Sequence, residues 1–366
     1  MRIGVDARNL VSSISGIGRY VLEMCRALEA RGHSLVLYLP ERSQFPLPDL
    51  LDCELRIENF KGPWRRAIWS MTALPKAVRR DQLDLFWGPA HRLPLGLPPR
   101  LPTVVTIHDL VWLKAPETMR WQTWLGERAF MAASLKRAQH IIADSKATAD
   151  DIVSFLPAAD GRVQVVYPGL TNLPPPGGRE LVPTDRQGQK QPYALFVGTL
   201  EPRKNLARLL EAFASIHSSN LAGLKLVIAG GQGWRMGDLS TLIAHLGIHD
   251  RTILTGYVSD AELAQLYSSA EFLLMPSLYE GFGFPIIEAQ SFGVPVITSS
   301  VSSMPEVAGD GAMLVNPLST KEIAEAIKRL SSELTLKSEL SSRALANARR
   351  FSWPKASKEL IGYINS

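Results

Sequence analysis

Arg2-Ile3-Gly4-Val5-Asp6 opens a stretch that runs on through Gly16-Ile17-Gly18-Arg19-Tyr20 to Ser34-Leu35-Val36-Leu37-Tyr38-Leu39. The first segment is an apolar run of strand length, and the glycine-rich segment follows a loop at Ala7–Ser15. A helix is expected over Tyr20–Glu29, ended by Arg31-Gly32-His33, and the third segment is a second strand. Strand, glycine turn, helix, strand is the βαβ grammar of a parallel sheet. The alternation continues outward. Leu83–Trp87, Thr103–Ile107, His140–Asp144 and Val163–Val166 read as further strands, with helices at Trp121–Arg137 and Lys146–Phe155. Tyr167-Pro168-Gly169 turns the chain out of this array. A Pro- and Gln-bearing stretch with Pro174-Pro175-Pro176-Gly177-Gly178 has the composition of a linker. At Tyr193–Val197 the alternation restarts. The expected organisation is one domain over 1–172, a linker over 173–192 and a second domain over 193–350.

At 366 residues the chain exceeds one ordinary core and fits two domains. A 46% apolar and 20% charged composition is that of a soluble globular protein. No apolar run reaches the roughly 18–20 residues that span a bilayer. The start of the chain lacks the pattern of a secretory signal, and Cys25 and Cys53 have no metal-ligand spacing. These features point to a cytoplasmic protein. Residues 1–170 carry 22 Lys and Arg against 17 Asp and Glu, so the net charge of +5 lies wholly in the first half. An anionic partner such as a membrane surface or a pyrophosphate fits that imbalance, as does an ordinary soluble surface. The segment 61–80 reads as a basic amphipathic helix carrying Trp64 and Trp69, a composition found at membrane interfaces and also in domain helices with core tryptophans.

The chemistry concentrates at Glu280-Gly281-Phe282-Gly283-Phe284-Pro285-Ile286-Ile287-Glu288. Two carboxylates stand eight positions apart around two glycines and a proline, after an apolar strand and before a helix. The first turn of that helix offers backbone N–H groups without internal partners, which suit a phosphate. Arg203 and Lys204 lie at the start of another helix, after the strand that ends near Gly198 and Thr199. They are placed for a diphosphate, the guanidinium as a fork and the ammonium as a point charge. His108-Asp109 ends a strand, where open parallel sheets bind ligands. Gly16-x-Gly18 is only part of a dinucleotide fingerprint, and suits a turn that brings N–H groups and Arg19 to a ligand.

Taken together, Glu280 and Glu288 with their Gly-Phe-Gly-Phe-Pro core, Glu201-Pro202-Arg203-Lys204-Asn205, His108-Asp109, Gly16-Ile17-Gly18-Arg19-Tyr20 and Phe351-Ser352-Trp353 resemble the family 4 retaining glycosyltransferases of the GT-B fold. The resemblance covers essentially the whole chain and leans toward its mannosyltransferases. It implies an α/β fold of two Rossmann-like domains facing each other across a cleft. A C-terminal helix, 351–366, would cross back to the first domain. It implies that Glu280 binds the donor sugar and that the N–H groups of Gly281, Phe282, Gly283 and Phe284 hold sugar and phosphates. Glu288 would then take the ribose hydroxyls. Arg203 and Lys204 would neutralise the leaving diphosphate, His108 would contact the donor sugar, and Gly16, Gly18 and Arg19 would lie at the phosphates. The loop Gly256–Ser259, with Val258, would read the base. Many relatives carry Arg where this chain has Thr199, which leaves more of the phosphate charge to Arg203.

The expected reaction is transfer of a hexose, mannose from GDP-mannose before other donors, to a hydroxyl of a glycan or lipid-pyrophosphate-linked acceptor. The barrier is departure of a nucleoside diphosphate, so stabilising its charge is the main electrostatic task. Asp-x-Asp, often seen where a metal does this, is absent. No metal or other cofactor is expected, and no nucleic-acid partner. Two carboxylates that grip one donor differ from the pair that flanks the scissile bond in a retaining glycosidase. Asp109 is the carboxylate to test for a covalent intermediate. A UDP-sugar transferase, a nucleotide-sugar epimerase and a non-catalytic sugar-nucleotide binder are the competing readings.

Overall fold

The structure is a computed structural model. It describes the chain apart from residues 12–15, 45, 48–50, 217–220, 222, 232 and 234–238. The end of the expected loop Ala7–Ser15 therefore lies outside the described residues. The chain divides into two compact units: 1–113 with 119–169 and 352–366, and 114–118 with 170–351.

In the first unit the described strands are β1 (Arg2–Asp6), β2 (Ser34–Leu39), β3 (Glu54–Ile57), β4 (Leu85–Gly88), β5 (Thr103–Ile107), β6 (His140–Ala143) and β7 (Val163–Val165). They pair in parallel in the order β3-β2-β1-β4-β5-β6-β7. The central strands are buried along nearly their whole length, as expected for a parallel sheet covered on both faces. β3 is the exception. It is half-exposed at the edge, and its Glu54-Leu55-Arg56-Ile57 sequence gives no buried run, so the sequence alone does not reveal it.

Two expectations change. The first helix begins at Gly16, not Tyr20, so both glycines lie inside its first turn. Glycine is a poor helix former; here the core packing of Tyr20, Val21 and Met24 sets where the helix runs. The basic segment 61–80 is two helices, Pro63–Met71 and Ala73–Val78, and its tryptophans part company. Trp64 is 86% exposed and Trp69 1%, with the Arg8 guanidinium 5.3 Å over the Trp69 ring. Trp64, Ile68 and Met71 fall on one helical face and are all exposed.

The last helix, Trp353–Ile364, belongs to the first unit. Ser352 caps it, its side chain accepting from the Lys355 N–H. Trp353 packs edge-on against Tyr20 at 5.7 Å, and Arg31 donates to Ser357 Oγ at 3.2 Å. Gly169 is required here, because a Cβ on it would stand 2.2 Å from the Trp353 nitrogen.

The second unit holds β8 (Tyr193–Val197), β9 (Lys225–Ala229), β10 (Thr252–Gly256), β11 (Phe272–Met275), β12 (Val296–Ser299) and β13 (Ala312–Val315), all parallel, in the order β10-β9-β8-β11-β12-β13. The helix Leu206–Ala214 presses Leu206, Leu209, Leu210 and Phe213 into its core. Each such side chain contributes about 1.5–3 kcal/mol. The stretch expected as linker is fastened to this unit: Arg179 forks onto Glu262 at 2.6 Å, and the Leu181 N–H donates to Gln265 Oε1 at 3.0 Å.

Candidate active site

In the second unit the strand order reverses between β8 and β11, so their carboxyl ends frame a crevice of the kind that binds ligands in open α/β sheets. The loop after β8 carries Gly198, the exposed Thr199, Glu201, Arg203 and Lys204. It is held by Asn205, which sits in the left-handed region at φ 60°. The Asn205 side-chain amide donates to Pro276 O at 2.9 Å and Pro317 O at 2.7 Å, tying this loop to those after β11 and β13. The loop after β11 runs to Gly283, whose φ of 101° admits glycine and strains other residues. The helix Phe284–Ser291 begins just after it.

Glu280 is 5% exposed and lies where the two loops meet. Arg203 Nη1 donates to Glu280 Oε2, Lys204 Nζ donates to Oε1 at 2.7 Å, and Arg203 Nη2 reaches Glu201 Oε1 at 2.5 Å. Burial alone would raise the Glu280 carboxyl; Arg203 and Lys204 outweigh it and hold the group at about 2. Two cations thus face two carboxylates, and an arriving diphosphate would compete with Glu201 and Glu280 for them. The Glu280 carbonyl accepts from Ser302 and Ser303, and Ser303 Oγ also reaches Phe282 O at 3.0 Å, which fixes the Gly281–Gly283 turn. Glu288, on the following helix, is 7% exposed and accepts from the Tyr267 hydroxyl at 3.0 Å. Val258 is half-buried, between Tyr257, whose carbonyl accepts from Arg179, and Ser259, which forms a capping box with Glu262.

The first unit holds its own cluster at the carboxyl ends of β4, β5 and β6. His108 Nδ1 lies 2.5 Å from Asp144 Oδ2 and Nε2 2.7 Å from Pro89 O. Both partners are acceptors, so both ring nitrogens donate and the ring is an imidazolium. Burial works against that charge, but Asp144 prevails and raises the pKa. The helix Gly16–Glu29 reaches this cluster through Tyr20, whose ring stands 4.8 Å from His108. Its first turn carries exposed Gly16, buried Gly18 and half-buried Arg19. Asp109 is half-buried, and its Oδ1 accepts from the Val111 N–H at 3.2 Å. Asp144 was not singled out from sequence, since an Asp at a strand end gives no sign of its partner. The same holds for His91, whose ring lies 5.1 Å from His108. Among the described residues no group of His, Cys, Asp and Glu is arranged to hold a metal ion, and no helix is long and apolar enough to cross a membrane.

Comparison with known proteins agrees with this geometry. The profile of the glycosyl transferases group 1 matches residues 181–351, and that of glycosyltransferase family 4 matches 14–171. The chain is 30% identical to the O-antigen chain mannosyltransferase B of Escherichia coli, covering 95% of each. It is also 30% identical to the MMP alpha-(1->4)-mannosyltransferase of Mycolicibacterium hassiacum, covering 90% of this chain and 89% of that one. Among solved structures, the Anabaena protein HepE in complex with UDP and glucose has a TM-score of 0.77 at 20% identity, over 100% of this chain and 99% of its own. WaaG, a glycosyltransferase involved in lipopolysaccharide biosynthesis, has a TM-score of 0.75 at 19% identity, over the whole of both chains.

Proposed function

Because the chain belongs to the glycosyltransferases of group 1 and family 4, we propose that it moves mannose from GDP-mannose to a hydroxyl of a glycan or lipid-linked glycan, with retention, in surface-polysaccharide synthesis. The observation that carries this reading is the buried Arg203–Glu280–Lys204 cluster at the reversal of strand order in the second unit. The mannose and surface-polysaccharide parts draw on the O-antigen mannosyltransferase, similar over 95% of this chain.

In this mechanism the bond from the anomeric carbon to the diphosphate breaks, and its electron pair leaves with the phosphate. Arg203 and Lys204, both largely buried, offset that charge where solvent screens it little. Glu280, held ionised, takes hydrogen bonds from donor-sugar hydroxyls, and Glu288 takes them from the ribose. The acceptor oxygen bonds to the anomeric carbon from the face the phosphate leaves, and its proton passes to the departing phosphate oxygen. With two cations in place the step needs no metal. His108 and Asp109 serve the sugar in the first unit. The exposed face Trp64, Ile68 and Met71, beside Lys61 and Arg65, touches an anionic membrane that carries the acceptor.

The test is incubation with GDP-mannose and UDP-glucose, with and without lipid extract, followed by NMR of the product's anomeric configuration. Transfer from UDP-glucose alone would sink the mannose assignment, and an inverted product would sink the mechanism.

A further inference from the structure

His91 follows β4, at the carboxyl edge of the first sheet. There the strand order reverses between β1 and β4 and opens the crevice where such sheets bind ligands. Two features of this residue oppose folding. Its φ is +64°, in the left-handed region that a residue bearing a Cβ enters at a cost of about 1 kcal/mol or more. Its side chain is buried, with 9% of the residue exposed, and Nδ1 has no hydrogen-bond partner. A buried polar atom left so costs about 1–3 kcal/mol. The residue is nonetheless fixed in place: its N–H donates to Thr106 O at 2.9 Å, and its ring stands 5.1 Å from that of His108. Strain and an unmet polar atom on one residue, at the ligand edge of the sheet, mark a function met by something other than the protein.

The surroundings define the ligand's chemistry. Burial lowers the pKa of the ring and outweighs the opposing pull of Asp109, and the charge on His108 adds to the lowering. Asp109, Glu127 and Asp144 also face it, and Arg92 is held by Glu127 at 2.6 Å. This acidic setting disfavours a phosphate and suits an uncharged hydroxyl. We infer that His91 contacts sugar directly, its buried Nδ1 exchanging a hydrogen bond with a hydroxyl of the acceptor glycan or of the transferred hexose. The inference rests on the sugar-transfer reading above.

The test uses the full chain labelled with nitrogen-15 at histidine, alongside His91→Asn and His91→Gly. Both substitutes accept the left-handed backbone; Asn keeps a polar atom near the place of Nδ1 and Gly does not. Ring resonances are recorded with GDP plus methyl α-mannoside, and separately with GDP-mannose. The His91 Nδ1 resonance, identified by its absence in both variants, is expected to move. A shift with methyl α-mannoside names the acceptor as source, and one with GDP-mannose alone names the donor. GDP-mannose turnover is expected to fall about 30-fold in His91→Gly and to stay within about threefold in His91→Asn, with both variants folded by circular dichroism. Wild-type turnover in His91→Gly overturns the inference, as does an unmoved resonance in a protein that consumes GDP-mannose. A wild-type chain that consumes neither GDP-mannose nor UDP-glucose fails the transferase reading itself, and the inference falls with it.

Discussion

Lys204 Nζ and Glu280 Oε1 lie 2.7 Å apart although 76 positions separate them in the chain. Both belong to loops that leave neighbouring strands, β8 and β11, and both are almost closed to solvent. A buried carboxylate of this kind resists the loss of one of its two cations, because Arg203 is then left to compensate it alone. Lys204→Met is therefore expected to cost about 3 kcal/mol of stability in the second unit. Chemical denaturation with matched slopes checks this; a cost below the noise would show that Arg203 alone compensates Glu280.

Acid should act through the same carboxylate. Its folded pKa is depressed from 4.5 to about 2. The ionised group therefore stabilises the fold at every pH above the ordinary value, and the stabilisation drains away as pH falls through the window between the two. Melting temperature against pH should slope downward there in the wild type, and less steeply in Glu280→Gln. Parallel curves would remove Glu280 as the source.

The two motif carboxylates are expected to separate by readout. Glu280→Ala should mainly lower turnover of GDP-mannose. Glu288→Ala, which removes the carboxylate that accepts from the Tyr267 hydroxyl and with it the proposed ribose contact, should weaken GDP binding about tenfold, as calorimetry would read. Equal losses of GDP affinity in both variants would contradict the division of roles.

His108 titrates in the opposite sense. Its pKa is raised from 6.5 by Asp144, against burial. The stabilisation is fully present below 6.5 and is lost as pH rises through the raised value. Asp144→Asn should bring the His108 titration, followed by histidine NMR, to lower pH. An unchanged titration would mean that Asp144 is not the counter-charge.

Membrane contact has a simple check. Trp64→Ser together with Ile68→Ser should abolish sedimentation with vesicles containing phosphatidylglycerol and leave turnover of soluble donor intact. Retained binding in the variant would place the contact elsewhere.

Much of this was legible in the chain. Ile3–Val5, Val104–Ile107 and Leu273–Met275 are apolar runs because parallel strands bury both faces, and the glycines and prolines between them mark loops. Glu280, Arg203 and Lys204 stood out because charges beside glycine at strand ends are uncommon in a core. What failed depends on tertiary partners. Trp69 and Trp64 look alike in sequence, yet Trp69 packs into the core with Arg8 over its ring while Trp64 stays exposed. Gly16 reads as a turn until Tyr20 and Met24 are seen to anchor the helix. Asp144 and His91 carry no local signal, since each is defined by what does or does not reach its polar atom.

The helix Trp353–Ile364 packs on Tyr20 and Arg31 although 326 positions separate Arg31 from its partner Ser357. The first unit therefore cannot complete its packing until the chain has passed through the second unit. Its seven described strands lie within residues 2–165 and can pair early, but the Tyr20 face stays uncovered until the second unit has been synthesised. A nascent chain stalled before Ser352 should expose the Tyr20 face to chaperones, and a short C-terminal deletion should damage the end of the protein that was made first.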